Sequence, residues 1–445
     1  MYGKIASTAF GLLAVANARP APQVTPAFTD VVHSVTPSAS IATTTTAAVT
    51  PAFTDVVHSV TPSSSSSALT VGGTSVPATF TSFPTGGVYS GNSSHAAKFP
   101  LPNGFPNIAK GSPQLTTLEQ QAHGELSNGA APTNLHPDTV NSLAFIAFNE
   151  LFEVSFFTQL VDKIVKSAPG FTSKDIPADR DTVLADLKVI VAQEELHALN
   201  ALGAFNANTG KTVAPCTYKF PVKTFSEAIA LASKFTDVVL GTLPDIQTVA
   251  AENMDIGLVR AVGSVVGQEG EQNGFFRSLS GKVPSELPFL TASARNFAYN
   301  AILQNFVEHC PSETIDLLEM PAAGTPLNET GVLNVLTTKL GLEDVTAAFS
   351  IQTVDTANTE AYYKSKKGSQ LYITYINQQN TPISYKISDL SFSAGAIHFK
   401  APFKGKTDFL NGLTIAAVTN KDESMSDVDT VASDMIFGPG LIEVN

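Results

Sequence analysis

Two glutamates, Glu150 and Glu153, sit inside FNELFEVSFF (residues 148–157), a run that also holds four phenylalanines. A buried carboxylate without a partner is costly or takes up a proton, so an apolar helix carrying two of them needs a reason. The same interruption recurs twice. EELH (194–197) sets Glu194 three residues before His197, and EGEQ (269–272) sets Glu269 three residues before Gln272. Residues three apart share one face of a helix. Carboxylates meeting an imidazole inside a bundle can bind cations. Dinuclear iron or manganese bundles use a Glu from each of two helices and Glu-x-x-His from each of the other two. Glu150, Glu153, Glu194, His197, Glu269 and Gln272 are therefore candidate metal ligands, with iron or manganese as the cofactor. The bland alternative is a solvated face at Glu194 and Glu195, a lysine partner for Glu150 and an exposed Glu153.

These residues lie on stripes at helical spacing. One stripe reads Ile146, Glu150, Glu153, Phe157, Leu160; the next Leu187, Ile190, Glu194, His197, Ala201; another Leu258, Val262, Val265, Glu269, Gln272, Phe276. Pro137 and Asp138 open the first helix, and lysines close it. A second helix is expected over 178–206, and a third from about Ser226 that kinks or stops at Pro244. A fourth is expected over 255–278, with a shorter one near 290–307. Long helices with modest connections describe an antiparallel bundle. The third helix offers no matching acid, because Glu227 and Asp237 fall off its apolar stripe. Gly263, Gly267, Gly270 and Gly274 line another face of the fourth helix, where a neighbouring backbone could come close.

The period changes to two after about residue 345. FSIQTV, QLYITYIN, ISYKISDLSF, AIHFKA and LTIAAVT read as strands, and no acid, base or metal cluster stands out among them. The expected division is a signal peptide (1–18), a stalk (19–112), a helical bundle (113–320), a linker (321–344) and a β-rich region (345–445). The signal consists of Lys4, the apolar IASTAFGLLAVA and the small-x-small site ANA. The stalk carries TPAFTDVVHSVTPS twice, at 25–38 and 50–63, among Ser, Thr and Pro tracts that favour disorder and O-glycosylation. Asn92 and Asn328 stand in N-glycosylation sequons.

Cys216 and Cys310 are the only cysteines, and an even count in a secreted chain favours a disulfide over two buried thiols. The net charge is −13, and residues 1–112 hold four cations against two acids, so the remainder carries −15. That excess disfavours nucleic acid and anionic membranes as partners and leaves cell-wall polysaccharide or protein. No segment after the signal reads as a membrane span. The expected location is extracellular or in a cell wall.

FNELFEVSFF, AQEELHALNAL, PCTYKFPV, VGQEGEQNGFFR and PFLTASARNFAYNAILQNFVEHCP together resemble the secreted fungal ferritin-like proteins. That group includes late sexual development and stress-response proteins and is similar, more distantly, to plant desiccation-related proteins. The resemblance covers about 113–320 and, more loosely, the tail through NGLTIAAVTN and GPGLIEV. It implies a mainly α chain with a ferritin-like antiparallel four-helix bundle and a small β-rich C-terminal region. It also implies no established activity. The missing acid on the third helix favours a structural or protective protein with a degenerate metal site over extracellular iron or manganese binding or oxidation. No nucleophile-elbow motif supports a hydrolase, and no catalytic residue is assigned.

Overall fold

In the computed structural model, residues 97–321, 324–352, 371–393, 396–420 and 425–444 are described. The signal, most of the stalk and Asn92 lie outside them. Most helices occupy the first part of the described chain and two antiparallel sheets the second.

The helices are α1 (Pro113–Ala122), α2 (Pro137–Val165), α3 (Arg180–Thr209), α4 (Phe225–Glu252), α5 (Gly257–Leu279), α6 (Arg295–Asn305), α7 (Ser312–Glu319) and α8 (Val428–Asp434). Their ends follow local chemistry. His136 caps α2 ahead of Pro137, the Asp179 carboxylate accepts from the Thr182 amide at 2.9 Å, and Gly210 closes α3 in the left-handed region. Thr224 and Glu227 form a reciprocal capping box on α4. α2 pairs with α3, and α4 with α5 across a turn of only four residues, which makes the second pair antiparallel. α2 also packs against α4 and α6.

Every residue of α2 from Asn141 to Phe157 is buried. One side carries the aromatics: Phe152 meets Tyr218, Phe220, Phe235 and Phe306, with ring centroids 5.1–5.9 Å apart. The other side carries Glu150 and Glu153. By length and composition α2 could cross a membrane, contrary to the expectation that no such segment follows the signal. Its apolar window is 89% buried inside the protein, so it is a core helix.

α4 does not stop at Pro244. It continues to Glu252 in one element. The close approach in this helix is at Gly241, where a Cβ would lie 2.2 Å from the Thr291 carbonyl oxygen. The glycine face of α5 is a packing device only in part. A Cβ at Gly263 would meet the Gln247 amide at 2.8 Å, whereas Gly267 and Gly270 face open space.

Two expected boundaries move. Residues 97–112, assigned to the stalk, fold onto the helices, with Phe105 fully buried and Leu101 nearly so. Two well-placed apolar side chains hold a segment whose Pro and Gly content alone reads as linker. The expected linker 321–344 contains β3 (Val332–Val335), hydrogen-bonded into a sheet.

The strands are β1 (Thr217–Tyr218), β2 (Val307–His309), β3, β4 (Asp344–Gln352), β5 (Tyr372–Asn377), β6 (Ile383–Lys386), β7 (Ser388–Ser393), β8 (Ala396–Lys404), β9 (Gly412–Thr419) and β10 (Phe437–Val444). β1 pairs with β2, and Cys216 and Cys310, immediately outside this pair, form a disulfide. Two four-stranded antiparallel sheets, ordered β10-β9-β5-β6 and β3-β4-β8-β7, share a core of Phe349, Phe399, Phe403, Ile373, Val418 and Ile442. β9 is buried along its whole length. Leu413, Ile415 and Ala417 belong to the helical core, and Ala416 and Val418 to the sheet core. A strand covered on both faces is apolar at every position, which is how LTIAAV reads.

Candidate metal centre

The three interrupted stripes converge. Glu150 and Glu153 from α2, Glu194 from α3, and Glu269 and Gln272 from α5 are buried, and His197 is half-buried. One ligand atom each from Glu150, Glu194, His197 and Glu269 lies within 4.8 Å of all the others. His197 Nδ1 is 3.0 Å from Glu194 Oε2 and 3.7 Å from both Glu150 Oε2 and Glu269 Oε1. Gln272 donates from Nε2 to Glu194 Oε1 at 2.5 Å. Glu153 lies outside the tightest group but close enough for the charges of Glu194 and Glu150 to act on it.

Electrostatics sort these groups into two kinds. Burial, and then the charge of Glu194, push Glu150 up to about 8, with His197 opposing. Burial and the Glu194 charge hold Glu153 and Glu269 well above the ordinary carboxylate range. Burial also works against a charge on Glu194, but the His197 charge and hydrogen bonds from His197, Glu150 and Gln272 outweigh it, and its carboxyl is held low. His197 is raised in turn: burial disfavours its charge, and the Glu194 and Glu150 carboxylates overcome that. Burial and mutual repulsion thus favour the protonated form of Glu150, Glu153 and Glu269, while Glu194 and His197 favour each other's charged form.

The oxygens themselves test whether a cation fits. Glu150 Oε2, both carboxylate oxygens of Glu153, both of Glu269, and Gln272 Oε1 are buried without a hydrogen-bond partner. Buried polar atoms are normally paired, and unpaired oxygens beside an imidazole are chemically suited to hold a cation.

Among the described residues no α4 side chain joins this set. Asp237, the acid of α4 nearest the middle of the helix, is buried and turned to a different layer. It accepts from Asn273 Nδ2 at 2.7 Å, and Asn273 Oδ1 accepts from Ser233 at 2.7 Å. Asp237 groups with Glu286 and with Glu443 of β10, near Lys234, Arg277 and Lys282. This corrects the expectation that the strands contribute to no acidic cluster. Asp237 is buried because a strand far along the chain closes over it, which helical spacing cannot reveal. Glu195, read with Glu194 as part of a solvated face, is also buried. It accepts from Asn103 Nδ2 at 2.7 Å, and burial pushes it up to about 7.

Asn328 is exposed beside α6, as a glycosylation acceptor must be. Comparison with protein-family models and with curated proteins gives no match for this chain.

Proposed function

We propose that this chain is a secreted ferritin-like protein whose α2, α3, α4 and α5 form a four-helix bundle binding iron or manganese at Glu150, Glu194, His197 and Glu269. Glu153 and Gln272 lie beside that set. The observation that carries the reading is the convergence of unpaired buried oxygens from α2 and α5 on His197. An oxygen-rich set with one imidazole suits manganese or iron better than softer cations. A bound cation of this kind supplies one-electron redox chemistry. The chain's own contribution is to keep the layer dry, to hold His197 Nδ1 toward the carboxylates, and to position Glu194 through the Gln272 amide. Because α4 supplies no ligand, the reading is of one cation rather than a bridged pair. Secretion is supported by the signal-like residues 1–18 and by the Cys216–Cys310 disulfide, which persists in oxidising compartments.

A second reading has a specific observation behind it. A structural or protective protein of stress response or sexual development could keep the layer as a proton-sharing remnant, and the absence of an α4 ligand favours this. Elemental analysis of protein purified without chelator or histidine tag separates the two. Near-stoichiometric iron or manganese, lost in Glu194→Ala, supports metal binding. A metal-free wild type whose melting temperature ignores iron, manganese and zinc refutes it.

A further inference from the structure

Away from the candidate metal centre, three acids from three separate elements meet where the helices join the sheets. Asp237 lies in α4, Glu286 in the connection 280–294 between α5 and α6, and Glu443 next to the end of β10. One carboxylate oxygen of each lies within 4.8 Å of the other two. The connection that carries Glu286 is held from both sides. Arg277 of α5 donates from Nε to the Val283 carbonyl at 2.8 Å and sets Nη1 3.3 Å from Glu286 Oε2, with both side chains only 3% exposed. On the sheet side, the Ala292 amide donates to the Gln378 carbonyl at 2.9 Å, and Leu287 packs so close to Gly412 of β9 that no Cβ fits there.

The acids are not evenly matched with donors. Asp237 Oδ1 accepts from Asn273, but Asp237 Oδ2 and both oxygens of Glu443 are buried and accept no hydrogen bond. The cations that face the cluster are Lys234 of α4, Arg277 of α5 and Lys282 of the connection. Carboxylates packed this closely resist ionising together, and a proton shared among them relieves the repulsion. Burial, followed by the charges of Glu443 and Glu286, holds Asp237 well above the ordinary carboxylate range. Burial and the Glu286 charge push Glu443 up to about 7, against Lys282, Lys234 and Arg277.

We infer that this cluster is a proton-dependent latch: with a proton among Asp237, Glu286 and Glu443, the connection 280–294 and the end of β10 stay docked on α4 and α5, and loss of the proton releases them. The sign follows from where the protons sit. A docked acid with a raised pKa holds a proton that the undocked acid gives up, so docking is strongest in acid and weakens as pH climbs to the docked value. For Glu443 the window runs from 4.5 to about 7. Lys234, lowered to about 8 by burial, acts in the opposite sense, but only above that value. The latch therefore opens as an acidic medium turns neutral, whether or not the metal centre is loaded.

The test is hydrogen exchange of the full chain, read by mass spectrometry at about pH 5.5 and about pH 8 and corrected for the intrinsic exchange rate. Between these values, peptides from 280–294 and from the end of β10 should lose roughly tenfold more protection than peptides from β4 and β8, which carry no residue of the cluster. Glu443→Gln and Asp237→Asn imitate the protonated acids. Each should shrink that difference, and the double variant should abolish it. Should the double variant misfold, the two single variants decide. Three results overturn the latch: no pH dependence of protection in the wild type, an equal loss in β4 and β8, or the full wild-type difference persisting in both single variants.

Discussion

Replacing Glu150 by Gln is expected to stabilise the chelated protein and to abolish its response to metal. Glu150 rises from 4.5 to about 8 through burial and the Glu194 charge. An acid whose folded pKa is raised contributes stability that is full below its unfolded pKa and is lost as pH climbs through its folded one. At 1.36 kcal/mol per proton per pH unit, its ionisation costs the chelated wild type roughly 3–4 kcal/mol between pH 5 and pH 8. Glutamine imitates the protonated acid and does not titrate. Glu150→Gln should therefore gain on wild type by that amount across the window, or about 6–8 °C in melting temperature at about 2 °C per kcal/mol. Glu153 and Glu269 act in the same direction in both proteins, as does His197 above its ordinary value. Glu194, held low, loses its contribution only in more acidic solution. Added manganese or ferrous ion should reverse the order near pH 8, because a cation replaces protons in the wild type and has lost a ligand in the variant. Thermal melts by circular dichroism at four pH values, with chelator and with metal, are sufficient. Parallel pH profiles for the two chelated proteins would refute the assignment of Glu150 to a buried carboxylate layer.

The Cys216–Cys310 bridge closes a loop across 94 residues of sequence, so a Cys216→Ser/Cys310→Ser variant should lose roughly 4–5 kcal/mol in the chain-entropy model, read by urea titration. Thiol titration of denatured, unreduced protein should find no free cysteine. Phe152→Ala removes a ring held by four aromatic neighbours and should cost about 3–5 kcal/mol. Gly241→Ala forces a methyl group against the Thr291 backbone and should destabilise by about 1–3 kcal/mol or more, whereas Gly267→Ala, facing open space, should be neutral or slightly stabilising on the same chemical melt.

The stripe of α2, α3 and α5 was legible because each polar interruption repeats at a spacing of three, and periodicity reports which residues share a face. What the other side of a helix meets is a different matter. Asp237 looked misplaced because the group that covers it, Glu443, is about 200 residues away and on a strand. Glu195 looked solvated because Asn103, its partner, lies in a segment whose composition reads as linker. Pro244 reads as a stop signal, yet α4 is buried along most of its length, and packing of that order can outweigh one lost hydrogen bond. Local propensity is visible in sequence; the surfaces that override it come from distant parts of the chain.

The double burial of β9 bears on what can be separated from what. Leu413, Ile415 and Ala417 complete the apolar interior of the helices, while Ala416 and Val418 complete that of the paired sheets. Neither interior closes without this one strand. The helical part is therefore not an excisable module. A chain ending near residue 320 leaves a hydrophobic wound on α4 and α6 and strips Asp237 of the strand that shields it. Melting of one part exposes the other, so heating should produce a single cooperative transition.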